Sequence, residues 1–112
     1  MDAAGQARAI GALDALRPRG QTNLWGGLLA SLESLRNGGG DNHKVVFCLT
    51  DGAPNITPPR GHIRELQTYK DKHVDFMFSC NTFGFGYSLD SDLLLSISRE
   101  CQGCFVFIPD AP

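Results

Sequence analysis

No stretch of this sequence approaches the roughly 20 consecutive apolar residues that a bilayer span needs, and the opening Met1-Asp2-Ala3-Ala4-Gly5 has no basic segment leading into an apolar one. Neither a membrane-spanning helix nor a secretory leader is expected, and the chain reads as cytoplasmic. An excess of charge of either sign is also missing. Ten basic residues face twelve acidic ones, for a formal charge of −2, without blocks of like charge. That removes the electrostatic basis for a nucleic-acid or membrane-surface partner.

The cysteine and histidine array of a zinc module is absent. The four cysteines are Cys48, Cys80, Cys101 and Cys104, and three lie in or beside strongly apolar segments, as reduced thiols packed like small hydrophobes do. Cys101-x-x-Cys104 bridges a helix end and a strand, whereas a thioredoxin-type pair opens a helix after a strand. His43, His62 and His73 stand in polar surroundings at element ends, where surface histidines are the default, and none has a nucleophile nearby to suggest a triad. Gly84-x-Gly86 lacks the third glycine and downstream acid of a dinucleotide fingerprint. Asn55-Ile56-Thr57 fits a glycosylation acceptor by chance, with Pro58 after it.

What is present is an alternation of helical and strand patterns along 112 residues, a length that suits one domain over 1–112. Ala9, Ile10, Leu13 and Leu16 recur at helical spacing from Ala3 to Leu16, and Arg17-Pro18-Arg19-Gly20 ends the pattern. Asn23 caps a second helix carrying Leu24, Leu28, Leu29, Leu32 and Leu35, which Asn37-Gly38-Gly39-Gly40 terminates. The continuous apolar run Val45-Val46-Phe47-Cys48-Leu49 fits a strand buried on both faces of a parallel sheet. Ile63, Leu66 and Tyr69 form a third helical stripe.

Val74, Phe76 and Phe78 alternate with polar or smaller residues in a strand expected over Val74 to Cys80, followed by a glycine-rich loop from Asn81 to Tyr87. Asp90-Ser91-Asp92 offers caps for a helix with Leu93, Leu94, Leu95 and Ile97, and a last strand runs from Cys104 to Pro109. The order α-α-β-α-β-α-β implies an α/β fold of Rossmann-like type: an open parallel sheet with right-handed crossovers and helices on both faces.

In such a sheet ligands bind beyond the carboxyl ends of the strands. Leu49-Thr50-Asp51-Gly52 places the Asp51 carboxylate there, and Gly20-Gln21-Thr22-Asn23 places the Thr22 hydroxyl at a helix N-terminus. Each has a plainer reading, Asp51 as a turn residue and Thr22 as a cap. Together they offer the oxygen-rich surroundings that Mg²⁺ prefers.

The segments Gly20-Gln21-Thr22-Asn23, Gly26-Gly27-Leu28 and Val45 to Gly52 resemble the second half of a von Willebrand factor A domain, over nearly the whole chain. The resemblance implies a metal-ion-dependent adhesion site in which Thr22 and Asp51 hold Mg²⁺, or Mn²⁺ or Ca²⁺, directly or through water. One coordination position would stay open for an acidic side chain of a protein partner. Thr82-Phe83-Gly84-Phe85-Gly86 and Gly103 to Ile108 are similar to intracellular members, including those joined to RING or U-box modules.

The sequence departs from the family in one respect: no Asp-x-Ser-x-Ser occurs, and Met1 stands directly before the helix that precedes Thr22. The expected module is therefore a truncated one, with weak metal affinity and one edge of the Val45 strand open, to be completed by strand swapping or by another chain. The expected function is non-enzymatic protein–protein interaction. The alternatives are a fragment without a function of its own, or a Rossmann-like enzyme half-domain using Asp51 and the Gly84-x-Gly86 loop.

Overall fold

A computed structural model describes residues 2–17 and 20–109, so Pro18 and Arg19 of the expected helix stop lie outside the described residues. The elements are α1 (Ala3–Asp14), α2 (Leu24–Gly38), β1 (Val45–Thr50), α3 (His62–Lys72), β2 (Ser79–Phe85), α4 (Ser91–Glu100) and β3 (Phe105–Ile108). This is the α/β order anticipated from the sequence, built on an open three-stranded sheet of order β1-β2-β3 with both pairings parallel.

Three helices start on side-chain caps that accept an otherwise unpaired N–H. Gly5 N–H donates to Asp2 at 2.7 Å, Gly26 N–H to Asn23 at 2.9 Å, and Leu93 N–H to Asp90 at 3.0 Å. α1 ends at Asp14, short of the expected Leu16, where Arg17 Nη1 donates to the carbonyls of Asp14 and Leu16.

Leu24, Leu28 and Leu32 of α2, Leu66 and Tyr69 of α3, and Leu94, Ile97 and Cys101 of the α4 end meet Val46 and Cys80 in one core. Val46 pairs with Cys80 and Cys48 with Thr82, so these four residues share the covered face. Thr82 is fully buried, and its hydroxyl donates to the Leu94 carbonyl at 3.0 Å, which fastens β2 to α4. Lys70 Nζ donates to the Glu100 carbonyl at 2.6 Å, tying α3 to the carboxyl end of α4.

The opposite face follows from the same registers: Val45, Phe47 and Leu49 of β1, Asn81, Phe83 and Phe85 of β2, and Val106 and Ile108 of β3. None of these is buried, and α1 buries no residue either, so helices expected on both faces pack tightly on one. β1, read from its continuous apolar run as buried on both sides, is covered on one side only. Its Phe47 and Leu49 are 66% and 62% exposed because no described residue packs above them.

The second strand is displaced from its expected position. Val74 and Met77 are exposed, and Phe76 N–H donates to the His73 carbonyl in a turn, so residues 73–78 form a connector into the sheet. Phe76 and Phe78 pack with Tyr69 at ring separations of 6.5 Å. The two-residue alternation continues in phase through Cys80, Thr82 and Gly84, all buried. Gly84 is therefore a strand residue, and a Cβ there would run into Leu89, with Leu94 and Phe105 each 3.3 Å away.

Gly103 is pinned on two sides: its N–H donates to the Ser98 carbonyl at 2.7 Å, and a Cβ would collide with the Cys80 carbonyl. Gly103→Ala is expected to lower the unfolding free energy by about 1–3 kcal/mol through forced backbone movement, read from the shift of the urea midpoint. Leu66→Ala, at a fully buried position, should cost about 2–5 kcal/mol in the same measurement.

Candidate functional site

The carboxyl end of the sheet gathers the ends of the strands and the N-termini of the helices that follow them. β1 delivers Thr50 and then Asp51. The Thr50 hydroxyl donates to the Gly52 carbonyl at 3.1 Å and accepts from Gly52 N–H at 3.4 Å, closing a tight turn about Asp51. Asp51 is exposed, and among the described residues no group hydrogen-bonds to its carboxylate.

Thr22 arrives from the other side, one residue ahead of the Asn23 cap, and is held by a residue that sequence reasoning passed over. Asn55 Oδ1 accepts the Thr22 N–H at 3.0 Å, while Asn55 and Ile56 N–H donate to the Thr22 carbonyl at 3.0 and 3.3 Å. Three hydrogen bonds thus lash the Thr22 segment to the loop that begins at Asp51. The Thr22 hydroxyl remains without a partner among the described residues. An Asn in a Gly-Ala-Pro-Asn turn signals side-chain to backbone bonding. Its partner lies 33 residues away, which no local pattern specifies.

A cavity of about 310 Å³ runs from Thr22 and Thr50 along the outer side of β1, floored by Leu24, Leu28 and Val46. A second of the same size continues it toward Leu35 and Val45. Lys44 O accepts from Ser79 N–H, so even-numbered β1 residues direct their backbone groups to β2 and Val45, Phe47 and Leu49 direct theirs outward. The expected open edge is therefore present, as a groove with free backbone donors and acceptors.

The larger cavity, about 390 Å³, lies at the opposite end of the strands, between Arg36, Lys44, Lys72 and His73. It is poorly suited to an anion. Arg36 is paired with Glu33 at 2.7 Å, Lys44 Nζ donates to the Gly39 carbonyl at 2.6 Å, and the helix ends there present carbonyls.

The Asn81 to Tyr87 segment, expected as a glycine-rich loop, divides instead. Phe83 to Phe85 belong to β2, and exposed Tyr87 packs on Phe107 at 5.7 Å between ring centres. A Gly84-x-Gly86 phosphate loop is thereby excluded, because the glycines do not open a helix. Cys101 ends α4 beside Cys80, and Cys104 stands free before β3. A hydrogen bond donated to Cys101, together with burial, pushes the Cys80 thiol far above its usual range. Among the described residues no three His, Cys, Asp or Glu side chains cluster as a metal site. Among the oxygens at the carboxyl end, the Asp51 carboxylate and the Thr22 hydroxyl are the two from the expected metal site.

His62, read as a surface residue, opens α3 and is only 7% exposed, with Nε2 lacking a hydrogen-bond partner among the described residues. Burial lowers its pKa below the ordinary value, with Asp90 opposing. Between the folded and unfolded pKa values the unfolded chain binds more protons, so stability is complete above about pH 6.5 and falls as the pH drops below it. Urea midpoints between pH 7.5 and pH 5 should show this decline, and His62→Gln should flatten it. Asn55→Ala should cost about 1 kcal/mol in the same assay at pH 7.5 by releasing Thr22 N–H from its acceptor.

No protein-family model, curated protein or solved structure matches this chain.

Proposed function

We propose that this chain is a protein-interaction module of the von Willebrand factor A kind, taking an acidic side chain of a partner at the carboxyl end of its sheet through a divalent cation. The observation that carries the reading is the Asn55 clamp, which ties the Thr22 segment to the loop carrying Asp51. A threonine hydroxyl and an uncommitted carboxylate on tethered segments suit an oxygen-seeking ion such as Mg²⁺, with Mn²⁺ and Ca²⁺ as relatives. The ion would supply positive charge, Asp51 would offset part of it, and the partner's carboxylate would fill a remaining position.

With a single protein carboxylate the ion binds weakly alone, so ion and partner are held together. The open edge of β1 belongs to the same proposal. A strand from another chain or segment, pairing with the outward backbone of Val45, Phe47 and Leu49, would bring further oxygen ligands to the Thr50 end. We assign no reaction to the arrangement, in which no nucleophile among the described residues is poised against a base. Four free thiols suit a cytoplasmic setting. Among the described residues no helix is long and apolar enough to cross a membrane.

Thermal unfolding with and without millimolar Mg²⁺ tests the metal role. At about ten times its Kd the ion adds ~1.4 kcal/mol and raises the midpoint by roughly 6–10 °C. Asp51→Ala should abolish that rise while leaving the metal-free midpoint nearly unchanged, since Asp51 is exposed. A midpoint indifferent to Mg²⁺, Mn²⁺ and Ca²⁺ alike would remove the metal from the proposal.

A further inference from the structure

Two apolar surfaces of this chain face water, and their dimensions match. The first is the stripe of α1. At 100° per residue Gln6, Ala9, Ile10 and Leu13 fall within about a third of the helix circumference, with Arg8 on the far side, and Leu16 follows in the turn beyond Asp14. Ile10, Leu13 and Leu16 are 59%, 65% and 69% exposed, and every α1 residue except Gly5 is exposed. The second is the open sheet face, where Phe47 and Phe83 meet edge to face at 5.7 Å, flanked by Leu49, Phe85 and Val106. Neither surface carries a charged residue.

A 12-residue helix is about 18 Å long and about 10 Å across. β1, at six residues, is about 20 Å long, and three strands span roughly 10 Å between their outer axes. One helix therefore covers this face. Within the chain the two surfaces stay apart, since α1 buries nothing and Phe47 and Leu49 remain two-thirds exposed.

We propose that α1 of one copy docks on the open sheet face of a second copy, and that the second copy returns the contact across a two-fold axis. Buried area selects the reciprocal arrangement over a one-way contact. With roughly 100 Å² available on each of Ile10, Leu13, Leu16, Phe47, Leu49 and Val106, scaled down from the 150–250 Å² of a fully buried aromatic, each copy contributes about 600 Å². Two copies together reach about 1,200 Å², the lower end of specific interfaces. A single contact would bury half of that and would leave a free helix and a free face to propagate into a filament. The contact uses the face of β1, so its edge stays open for strand pairing, and the dimer stands independently of the metal site.

Sedimentation equilibrium of the chain from 1 to about 200 µM, without divalent ions, tests this. The expected result is a monomer–dimer equilibrium with no higher species. Ile10→Asp combined with Leu13→Asp should weaken the dimer at least 100-fold with an unchanged far-ultraviolet spectrum, since both positions are exposed. Phe47→Asp should weaken it similarly. A mixture of the helix variant and the Phe47 variant should stay monomeric as well, because the one intact helix-to-face contact left between them buries only about half of the area and the other contact sets three carboxylates against one another. A wild-type chain that stays monomeric throughout would overturn the proposal. So would a dimer that survives the double helix substitution, which would assign association to the β1 edge, or open-ended assembly without a defined dimer.

Discussion

The close seating of β2 beneath α4 fixes the positions of most other elements. Cys80, Thr82 and Gly84 lie on the covered face with no spare volume: Cys80 against Cys101, the Thr82 hydroxyl on the Leu94 carbonyl, and Gly84 under Leu89 and Leu94. Gly103 adds a second constraint from the chain's return, because its missing side chain lets the turn after α4 lie directly on the Cys80 carbonyl. Close-packed interiors transmit such constraints with little slack. The position of β2 sets the register of β1 and β3, and β1 in turn decides where Thr50 ends and Asp51 emerges.

From that frame the candidate site is assembled by polar contacts, which are directional where core packing is not. Asn55 accepts from the Thr22 amide while its own amide donates back, so the segment before α2 cannot slide along the loop after β1 without losing both bonds. The Thr50 hydroxyl closes the turn at Asp51 from the strand side. The two side chains left without such duties are the Thr22 hydroxyl and the Asp51 carboxylate. Groups that a fold positions and does not consume are the ones available to a ligand, and this is the physical content of the metal-bridged interaction proposed for them.

The sequence was legible where a pattern is local. Asn23 and Asp90 cap their helices as read, α2 and α4 present the anticipated leucines to the core, and the α/β order with parallel pairing follows from the alternation. It was misread where meaning depends on what lies opposite. Gly84 and Gly86 look like loop residues until α4 is placed over β2, after which the first is the only residue small enough for its site. His62 looks like a polar loop residue until the neighbouring elements close over it. Asn55 looks like part of a glycosylation signal until Thr22 is brought to it across 33 positions. The rule that ligands lie beyond the carboxyl ends of parallel strands already points to Asp51 and Thr22, and the resemblance to a family adds their shared role in an adhesion site.

The asymmetry of the sheet explains how the chain can be well packed and yet unfinished at its surface. Residues of one parity along each strand serve α2, α3 and α4, and residues of the other parity are nearly as apolar but meet water. In a sheet exposed on one side the outward parity is ordinarily polar. Here Phe47, Leu49, Phe83, Phe85, Val106 and Ile108 keep the composition of a doubly covered sheet. Each large side chain left exposed forgoes about 1.5–3 kcal/mol of burial free energy. The stripe of α1 forgoes the same kind of energy on a surface of matching length. Selection for solubility as an isolated monomer would act against both, and polar substitutions there would leave the core beneath α4 untouched. The dimer proposed above would bury both by bringing helix and face together.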